Sequence, residues 1–288
     1  MKNSYGKIFK SLWKKPPVVL PGAFNALTGM AAKKAGFKAL YFSGGAFSAT
    51  LGLPDVGLFT LTELEGAVQK IVAATELPIL VDADTGFGEA VNVCRTVETL
   101  EAAGAAGLHL EDQVLPKRCG HLDGKELIPA EKMCEKIRAA ILTRKDPDFV
   151  LMARTDARAT EGIEGAIRRA KKYLEAGADA IFPEGLQSVA EFKTFSHALP
   201  KTPLLANMTE FGKTPFISAN EFAEMGFAMV IFPVTLLRLA MKAVTEGLSQ
   251  IRDTGTQKGL VDRMQTRKEL YDLLDYEALA QRDKKVAL

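Results

Sequence analysis

Long apolar runs are missing from this 288-residue chain, where no stretch approaches the ~20 apolar residues that a membrane-spanning helix needs. The first residues, MKNSYGKIFKSLWKK, lack the apolar core of a secretion signal. Excess charge of one sign is missing too, because 37 basic residues nearly balance 35 acidic ones and leave a net charge of +2. We therefore expect a cytoplasmic protein with neither a membrane nor a nucleic acid as its partner.

Cysteine is scarce, and its three positions, Cys94, Cys119 and Cys134, are far apart and odd in number. This excludes a disulfide framework and indicates free thiols in a reducing compartment. The absence of a C-x-x-C pair argues against structural zinc. Cys94 and Cys134 fall in predicted helices as small packing residues, which leaves Cys119 as the candidate reactive thiol.

Eight short apolar runs alternate with helical patterns, which predicts parallel strands buried on both faces. The predicted strands lie at 18–20, 39–42, 79–81, 107–110, 149–152, 180–182, 204–206 and 228–232, and the helices near 24–36, 60–75, 89–103, 129–144, 161–175, 188–197, 218–224 and 234–251. Thr60 with Glu63 and Ser188 with Glu191 fit helix capping boxes. Eight such units indicate an α/β protein with a (β/α)8 TIM-type barrel.

A doubly wound open sheet is the alternative fold, but no G-x-G-x-x-G turn follows the first strand. We expect one barrel domain over residues 1–288, preceded by a helix at 4–14. A helical extension from about residue 252 should pack outside the barrel, against a neighbouring subunit.

Polar residues follow the apolar runs directly, where the active site of such a barrel lies. They are Ser43, Gly44, Gly45, Asp82, Asp84, Glu111, Asp112, Arg154, Asp156, Glu184, Asn207, Thr209, Glu210 and Arg238. Because seven segments contribute to one rim, the pattern favours a single site.

Asp82 and Asp84 are two residues apart, so on an extended segment both side chains point the same way. Two carboxylates so close repel each other unless a cation lies near them, and hard oxygen ligands suit Mg²⁺ or Mn²⁺. An Asp pair that caps a turn before Gly86 and Gly88 is the alternative. Glu111 on the same rim favours the metal interpretation.

Groups for binding anions complement these acids. Arg154 and Arg238 can bind carboxylates with two hydrogen bonds, and the N–H groups of a Ser43-Gly44-Gly45 turn can hold oxyanions. The substrate should therefore be a small polycarboxylate or a phosphorylated compound. His109 lies inside an apolar run, which is typical of a hydrogen-bonded core residue.

The loop at 111–125 reads EDQVLPKRCGHLDGK and holds the candidate thiol. Cys119 is flanked by Lys117 and Arg118 and followed by His121, an electropositive setting that eases proton donation or nucleophilic attack. A solvated charged loop with an incidental cysteine is the alternative. We expect this loop to move as a lid, with the thiol brought to the substrate when it closes.

These motifs resemble the isocitrate lyase/phosphoenolpyruvate mutase superfamily over residues from about 16 to 276. They are Y-F-S-G-G, V-D-A-D-T-G-F-G, H-L-E-D-Q, K-R-C-G-H, A-R-T-D-A, N-M-T-E-F-G and the tail G-T-Q-K-x-x-V-D-x-M-Q-T-R. K-R-C-G-H resembles the lyase branch, because the mutases, hydrolases and decarboxylases of the superfamily lack this cysteine. Isocitrate lyases share a similar loop but carry a large insertion that is missing here.

The resemblance implies Mg²⁺ held by Asp82 and Asp84 with Asp55 and Glu111 nearby, and a homotetramer that exchanges terminal helices. It implies an apolar specificity pocket at Phe182, Ile231 and Pro233. The implied substrate contacts are Ser43, Gly44, Gly45, Cys119, Gly120, Arg154, Glu184, Asn207, Met208, Thr209, Arg238 and Arg267.

The implied reaction is cleavage of the tricarboxylate (2S,3R)-2-methylisocitrate to pyruvate and succinate, a step of propionate catabolism through the methylcitrate cycle. Tyr41 is the candidate base, and a metal-linked carboxylate is the alternative. Cys119 is the candidate proton donor, with Lys117, Arg118 and His121 as its supporting cations. Three alternatives stay open: an isocitrate lyase, an enzyme of the superfamily that acts on oxaloacetate or phosphonopyruvate, and a non-catalytic carboxylate-binding protein.

Overall fold

A computed structural model describes residues 4–120, 122 and 124–286. All eight predicted strands are confirmed in it, each within two residues at its start and three at its end. They are β1 (Val18–Pro21), β2 (Leu40–Phe42), β3 (Ile79–Asp82), β4 (Gly107–Glu111), β5 (Val150–Thr155), β6 (Ala180–Pro183), β7 (Leu205–Asn207) and β8 (Met229–Phe232).

The strands are parallel and follow one another in chain order around the molecule. Hydrogen bonds join β2 through β6 in sequence, and β1, β8 and β7 form a second sheet. Single parallel bridges connect the two sheets at both junctions, between Gly22 and Tyr41 and between Ile181 and Leu204. This order is the one expected for a (β/α)8 barrel, whereas a doubly wound sheet would reverse direction from its first strand.

The predicted helices between the strands are all present, and a short helix that was not predicted follows β2 directly. The helices are α1 (Tyr5–Leu12), α2 (Ala26–Lys34), α3 (Gly44–Thr50), α4 (Leu61–Thr75), α5 (Ala90–Ala102), α6 (Ala130–Thr143), α7 (Arg158–Glu175), α8 (Val189–Ala198), α9 (Ala219–Glu224), α10 (Thr235–Thr254), α11 (Arg267–Leu273) and α12 (Tyr276–Val286), with a 3₁₀ helix at Lys258–Arg263. Among the described helices, none combines the length and apolar character that crossing a bilayer requires.

Of the two predicted capping boxes, the one formed by Thr60 and Glu63 is confirmed. The other is only half formed. Ser188 accepts a hydrogen bond from the backbone N–H of Glu191, as predicted. The Glu191 carboxylate, however, binds Arg158 and the backbone N–H of Gln187, because an arginine from α7 lies within reach.

Alternate residues of each strand face two different cores. On β8, Met229 and Ile231 point into the barrel interior, whereas Val230 points outward and packs with residues of the surrounding helices. The interior core also contains Tyr41 and Phe182. Phe9 of α1 belongs to the same interior cluster and is fully buried. The N-terminal helix therefore packs onto the barrel core that the strands enclose.

The last long helix, α10, has no buried residue. Its exposed side includes Leu239, Met241, Val244, Leu248 and Ile251. The predicted helical extension beyond residue 252 is present as the 3₁₀ helix, α11 and α12. An apolar face of this size on an outer helix is typical of a surface that contacts another protein.

Replacing Phe9 with alanine should lower the free energy of unfolding by about 3–5 kcal/mol, because the change leaves a cavity in the barrel core. Chemical denaturation would measure it. Lys7→Ala on the exposed side of α1 is the matched control and should change stability by less than ~0.5 kcal/mol. Equal effects of the two changes would contradict a role for α1 in the core.

Candidate active site

Three buried carboxylates meet where β3 and β4 end. Asp82, Asp84 and Glu111 each offer one oxygen, and these oxygens lie within 4.8 Å of one another. The expectation of an extended Asp82–Asp84 segment is wrong, since β3 stops at Asp82 and Asp84 adopts a left-handed conformation with φ of 47°. The N–H of Asp84 donates to Asp82 Oδ1 at 3.1 Å, so a tight turn, and not strand periodicity, brings the two carboxylates together.

The electrostatics of this cluster call for a cation. Burial and the neighbouring Asp82 raise the pKa of Asp84 to about 7. Burial also raises the pKa of Glu111 well above its ordinary value. At Asp82 burial acts in the same direction, but neighbouring positive groups that include Lys117 and Arg154 outweigh it and lower the pKa. Neither oxygen of Glu111 accepts a hydrogen bond from a described residue. Three converging carboxylates, with oxygens that accept no hydrogen bond from a described residue, fit a hard divalent cation such as Mg²⁺ or Mn²⁺.

Lys117 reaches into this cluster from the Cys119 loop. Its ammonium lies 2.8 Å from Asp84 Oδ1 and also contacts Asp55, which brings Asp55 to the edge of the site as predicted. Burial alone would lower the pKa of Lys117, but Glu111 and Asp84 outweigh it and raise the pKa well above its ordinary value. The side chain is thus a permanent cation that faces the acids.

The residues after β2 approach the acids through their backbone. The N–H of Gly44 donates to Asp82 Oδ2 at 3.0 Å, and Ser43 caps α3, which begins at Gly44. The predicted glycine turn is therefore the first turn of a short helix. A Cβ on Gly44 would lie 3.0 Å from Asp82 Oδ2, and one on Gly45 would lie 3.0 Å from Asp55 Oδ2. Glycine fits both positions because a side chain would crowd these carboxylates and force them to shift.

Beneath the acids, Tyr41 and His109 form a buried polar pair. The Tyr41 hydroxyl is 2.9 Å from His109 Nε2, which in turn lies 3.6 Å from Asp82 Oδ1. Burial lowers the pKa of His109 to about 4, so the ring is neutral at pH 7. Burial and, to a smaller extent, the nearby Asp82 raise the pKa of Tyr41 well above its ordinary value, which keeps the phenol protonated at pH 7. His109 is confirmed as a hydrogen-bonded core residue, and its partner was not foreseen.

Arg154 provides a buried positive group at the end of β5. Its Nε lies 3.4 Å from Glu111 Oε2, its Nη1 lies 3.6 Å from Glu184 Oε2, and its guanidinium stacks 5.2 Å above the Phe182 ring. The side-chain amide of Asn207 donates to Glu184 Oε2 at 3.1 Å. Four predicted site residues at the ends of β4, β5, β6 and β7 therefore lie in one connected group: Glu111, Arg154, Glu184 and Asn207.

The loop that carries Cys119 folds over this group. Backbone bonding between Val114 and Glu126 closes its base, and the Gln113 side chain bonds to both the N–H and the carbonyl of Arg118. A Cβ on Gly120 would lie 2.4 Å from Glu184 Cγ and 2.7 Å from Arg154 Nη2. The half-buried Cys119 is the chain neighbour of this contact.

Not every predicted residue joins the group. Arg238 lies on the outer rim with 43% of its side chain exposed, bound to Glu210 at 3.0 Å. The Met208 side chain packs in the outer core, where its sulfur accepts from the N–H of Ile217. Arg267 begins the exposed helix α11 and lines a groove with other C-terminal residues. His121 lies outside the described residues.

Four further predicted residues are buried, whereas Arg118 is exposed. Thr209 is buried in the segment after β7. Phe182 and Ile231 are buried in the barrel core, and Pro233 is buried directly after β8. Lys125 was not foreseen, although its ammonium is buried 2.9 Å from Asp156 Oδ1 and bonds to the carbonyl of Gly120. A lysine six residues after the cysteine gave no pattern that distinguishes it from the other charges of the loop.

The family model of phosphoenolpyruvate phosphomutase matches residues 9–252. A curated relative from Corynebacterium glutamicum, named probable 2-methylisocitrate lyase 1, is 54% identical over 270 residues, which cover 93% of this chain and 88% of that protein. Further curated relatives named 2-methylisocitrate lyase are 44–51% identical over at least 90% of the chain.

Two solved structures are similar to this chain over almost its whole length. A 2,3-dimethylmalate lyase, described as a member of the PEP mutase/isocitrate lyase superfamily, is similar with a TM-score of 0.92 and 35% identity, and the match covers 99% of this chain and 96% of that one. A phosphonopyruvate hydrolase solved with oxalate and Mg²⁺ gives a TM-score of 0.89 at 29% identity, over 99% and 100% of the two chains. This chain therefore belongs to the phosphoenolpyruvate mutase/isocitrate lyase superfamily.

Proposed function

We propose that this chain is a carbon–carbon lyase that cleaves (2S,3R)-2-methylisocitrate to pyruvate and succinate. The observation that supports the proposal is the contact of Gly120, the residue after Cys119, with Arg154 and Glu184 in a site that has three buried acids. The identity of 44–54% to relatives named 2-methylisocitrate lyase supports this choice of substrate.

Asp82, Asp84 and Glu111 would hold Mg²⁺ or Mn²⁺, with Asp55 at the edge of the site. Such a cation makes the 2-hydroxyl of a bound substrate more acidic. Arg154, the N–H groups of Gly44 and Gly45, and the amide of Asn207 would bind the substrate carboxylates. Ser43, Glu184, Thr209, Met208, Arg238 and Arg267 complete the proposed set of contacts, with Met208 acting through its backbone.

Cleavage requires one proton to leave oxygen and another to reach carbon. A base removes the proton of the 2-hydroxyl, the C2–C3 bond breaks, and its electron pair moves into the carboxylate next to C3 of the succinate half. Arginine and amide donors already in place stabilise this enediolate-like charge. Cys119 then gives its proton to the carbon, and its thiolate is protonated again before the next turnover.

Tyr41 remains the proposed base, and the structure adds a condition to its role. The phenol loses its proton more readily once the charge of Asp82 is offset, because Asp82 contributes to its raised pKa. The neutral His109 ring, 2.9 Å from the Tyr41 hydroxyl, is placed to hold that hydroxyl in one orientation.

We also propose that the chain assembles as a homotetramer that exchanges terminal helices, and that it works in the cytoplasm. The exposed apolar side of α10 supports the assembly, and the three free cysteines suit a reducing compartment. Exchange of helices would allow Arg267 of one subunit to reach a site in another.

Replacing Asp84 with alanine should abolish Mg²⁺-dependent turnover and leave the fold intact, because it removes one of three converging ligands. Turnover, circular dichroism and calorimetric Mg²⁺ binding would be measured. Glu164→Ala, an exposed acid on α7, is the control. In the wild type, Mg²⁺ affinity should fall as the pH drops below about 7, where a proton competes for Asp84. Full activity of Asp84→Ala, or of the wild type in excess chelator, would refute the metal site.

Methylisocitrate should be preferred over isocitrate by about 10–200-fold in kcat/KM, the range that one methyl group in an apolar pocket gives. Ile231→Thr should reduce this preference because Ile231 faces the barrel interior. Val230→Thr, on the outward face of the same strand, should leave it unchanged. Equal kcat/KM for both substrates in the wild type would contradict the apolar pocket.

Replacing Cys119 with serine should remove nearly all turnover, because a hydroxyl of similar size is a far weaker acid. The variant should still bind succinate or pyruvate with Mg²⁺. Alkylation of the thiol should inactivate the wild type, and bound product should slow this inactivation. Cys94→Ser and Cys134→Ser are the controls and should stay active, since both side chains lie in helices.

Turnover on methylisocitrate, oxaloacetate and phosphonopyruvate would test the reaction itself. Activity on methylisocitrate alone would support the lyase. Activity confined to oxaloacetate or phosphonopyruvate would contradict the lyase and indicate that other reaction. Near-normal turnover of Cys119→Ser would remove the thiol from the mechanism. Loss of product binding together with turnover would make Cys119 a binding residue.

Light scattering of the purified protein should give four times the 31.2 kDa chain mass. Leu248→Asp on α10 should lower the measured mass because it puts a charge in the apolar face. Leu142→Asp, at an exposed leucine of α6, is the matched control. A monomeric wild type would rule out the exchanged helices.

A further inference from the structure

A second buried charge pair lies behind the acids described above. The side chains of Lys125 and Asp156 are only 1% and 0% exposed, and Lys125 Nζ lies 2.9 Å from Asp156 Oδ1. A buried ion pair is costly to form unless further hydrogen bonds satisfy its remaining donors and acceptors. In this protein further hydrogen bonds do satisfy both members of the pair, and the partners on each side belong to the proposed catalytic machinery.

On one side, Asp156 fixes Arg154. The Nε of Arg154 donates to Asp156 Oδ2 at 2.9 Å, and its Nη2 donates to Asp156 Oδ1 at 3.2 Å. Asp156 is itself fixed, because its N–H donates to the buried carboxylate of Asp112 at 2.9 Å. The guanidinium therefore has one orientation, with Nη1 directed toward Glu184 and Nε also 3.4 Å from Glu111 Oε2.

On the other side, Lys125 fixes the cysteine loop. The same ammonium that binds Asp156 donates to the carbonyl of Gly120, the residue after Cys119. Gly120 is already in contact with Arg154 and Glu184, since a Cβ there would meet both. One ammonium thus connects the backbone beside the thiol to the carboxylate that orients the arginine.

Charge gives a second reason for a lysine at this position. Arg154 faces three carboxylates, those of Glu111, Asp156 and Glu184. Asp156 Oδ1 accepts from both Arg154 and Lys125, so the lysine shares the charge of Asp156. A side chain without a donor at 125 would remove the bond to the Gly120 carbonyl and leave Asp156 Oδ1 with the weaker 3.2 Å bond from Arg154.

We propose that Lys125 is a positioning residue, which holds Cys119 at a fixed distance from Arg154 by binding Asp156 and the Gly120 carbonyl at once. This rests on the proposed roles of Cys119 and Arg154 in cleavage. Lys125 touches no reacting atom in this assignment. Its effect is on geometry, and a displacement of about 1 Å at a reacting group can cost on the order of 10²-fold in rate.

The test compares Lys125→Met, which keeps the length and removes the charge, with Lys132→Met, an exposed lysine of α6. Lys125→Met should lower kcat by about 10–100-fold with a smaller change in KM, and should leave Mg²⁺ affinity within twofold of the wild type. Iodoacetamide should alkylate Cys119 at least fivefold faster in Lys125→Met than in the wild type. Mass spectrometry of the peptide that contains Cys119 would measure the rate. Lys132→Met should match the wild type throughout.

A double-mutant cycle with Asp156→Asn tests the route of the effect. If Lys125 acts through Asp156, the double variant should lose little more kcat than the worse single variant. Losses that multiply would overturn the proposal, as would wild-type kcat and alkylation in Lys125→Met. Should the methionine variant fail to fold, Lys125→Gln takes its place. Its side chain is one bond shorter and uncharged, so it cannot bind Asp156 and the Gly120 carbonyl at once as the ammonium does, and the same limits on kcat and alkylation apply to it.

The two readouts separate this proposal from the proposed reaction. A wild type that fails to cleave methylisocitrate would refute the reaction. The alkylation rate of Cys119 needs no substrate, so an unchanged rate in the Lys125 variants refutes the positioning role by itself.

Discussion

The cost of burying three carboxylates in one small volume governs the arrangement of this site. Two unit charges 4 Å apart repel by about 4 kcal/mol at an effective dielectric constant of 20, and Asp82, Asp84 and Glu111 are all buried. Lys117 and Arg154 offset part of that charge. His109 does not, because its burial keeps the ring neutral at pH 7. The site is therefore built to gain stability from a divalent cation.

Crowding around these acids explains where glycine occurs. Gly44 and Gly45 lie against the carboxylates of Asp82 and Asp55, and Gly120 lies against Glu184 and Arg154. In each case a Cβ would occupy the space of a charged group. Backbone N–H groups can thus approach the site closely enough to bind anionic ligands.

One loop carries both the cation that faces the acids and the thiol that is proposed to give the proton. Lys117 binds Asp84 and Asp55, while Gly120 packs on Arg154 and binds Lys125. The position of Cys119 between these two anchors therefore depends on the same charges that hold the acids together. Binding of cation and substrate and placement of the thiol are coupled through this loop.

The sequence alone determined the succession of strands and helices, because buried parallel strands are short continuous apolar runs and helix ends carry their own capping residues. It also determined which residues follow each strand, and so which side chains share one end of the barrel. The turn at Asp84 was given only as the alternative to an extended segment. The helix that begins at Gly44 and the half-formed cap at Ser188 were missed, since each depends on neighbours supplied by other segments.

Only the tertiary structure decided which polar groups pair. Lys125 and Lys132 read alike in the sequence, yet one is buried against Asp156 and the other is exposed, because the path of the loop takes only Lys125 inward. Likewise Tyr41 and His109 are 68 residues apart, and their hydrogen bond exists because β2 and β4 flank β3 with both side chains turned into the barrel. Local patterns fix the elements, whereas contacts between distant segments fix the burial and charge balance on which the site depends.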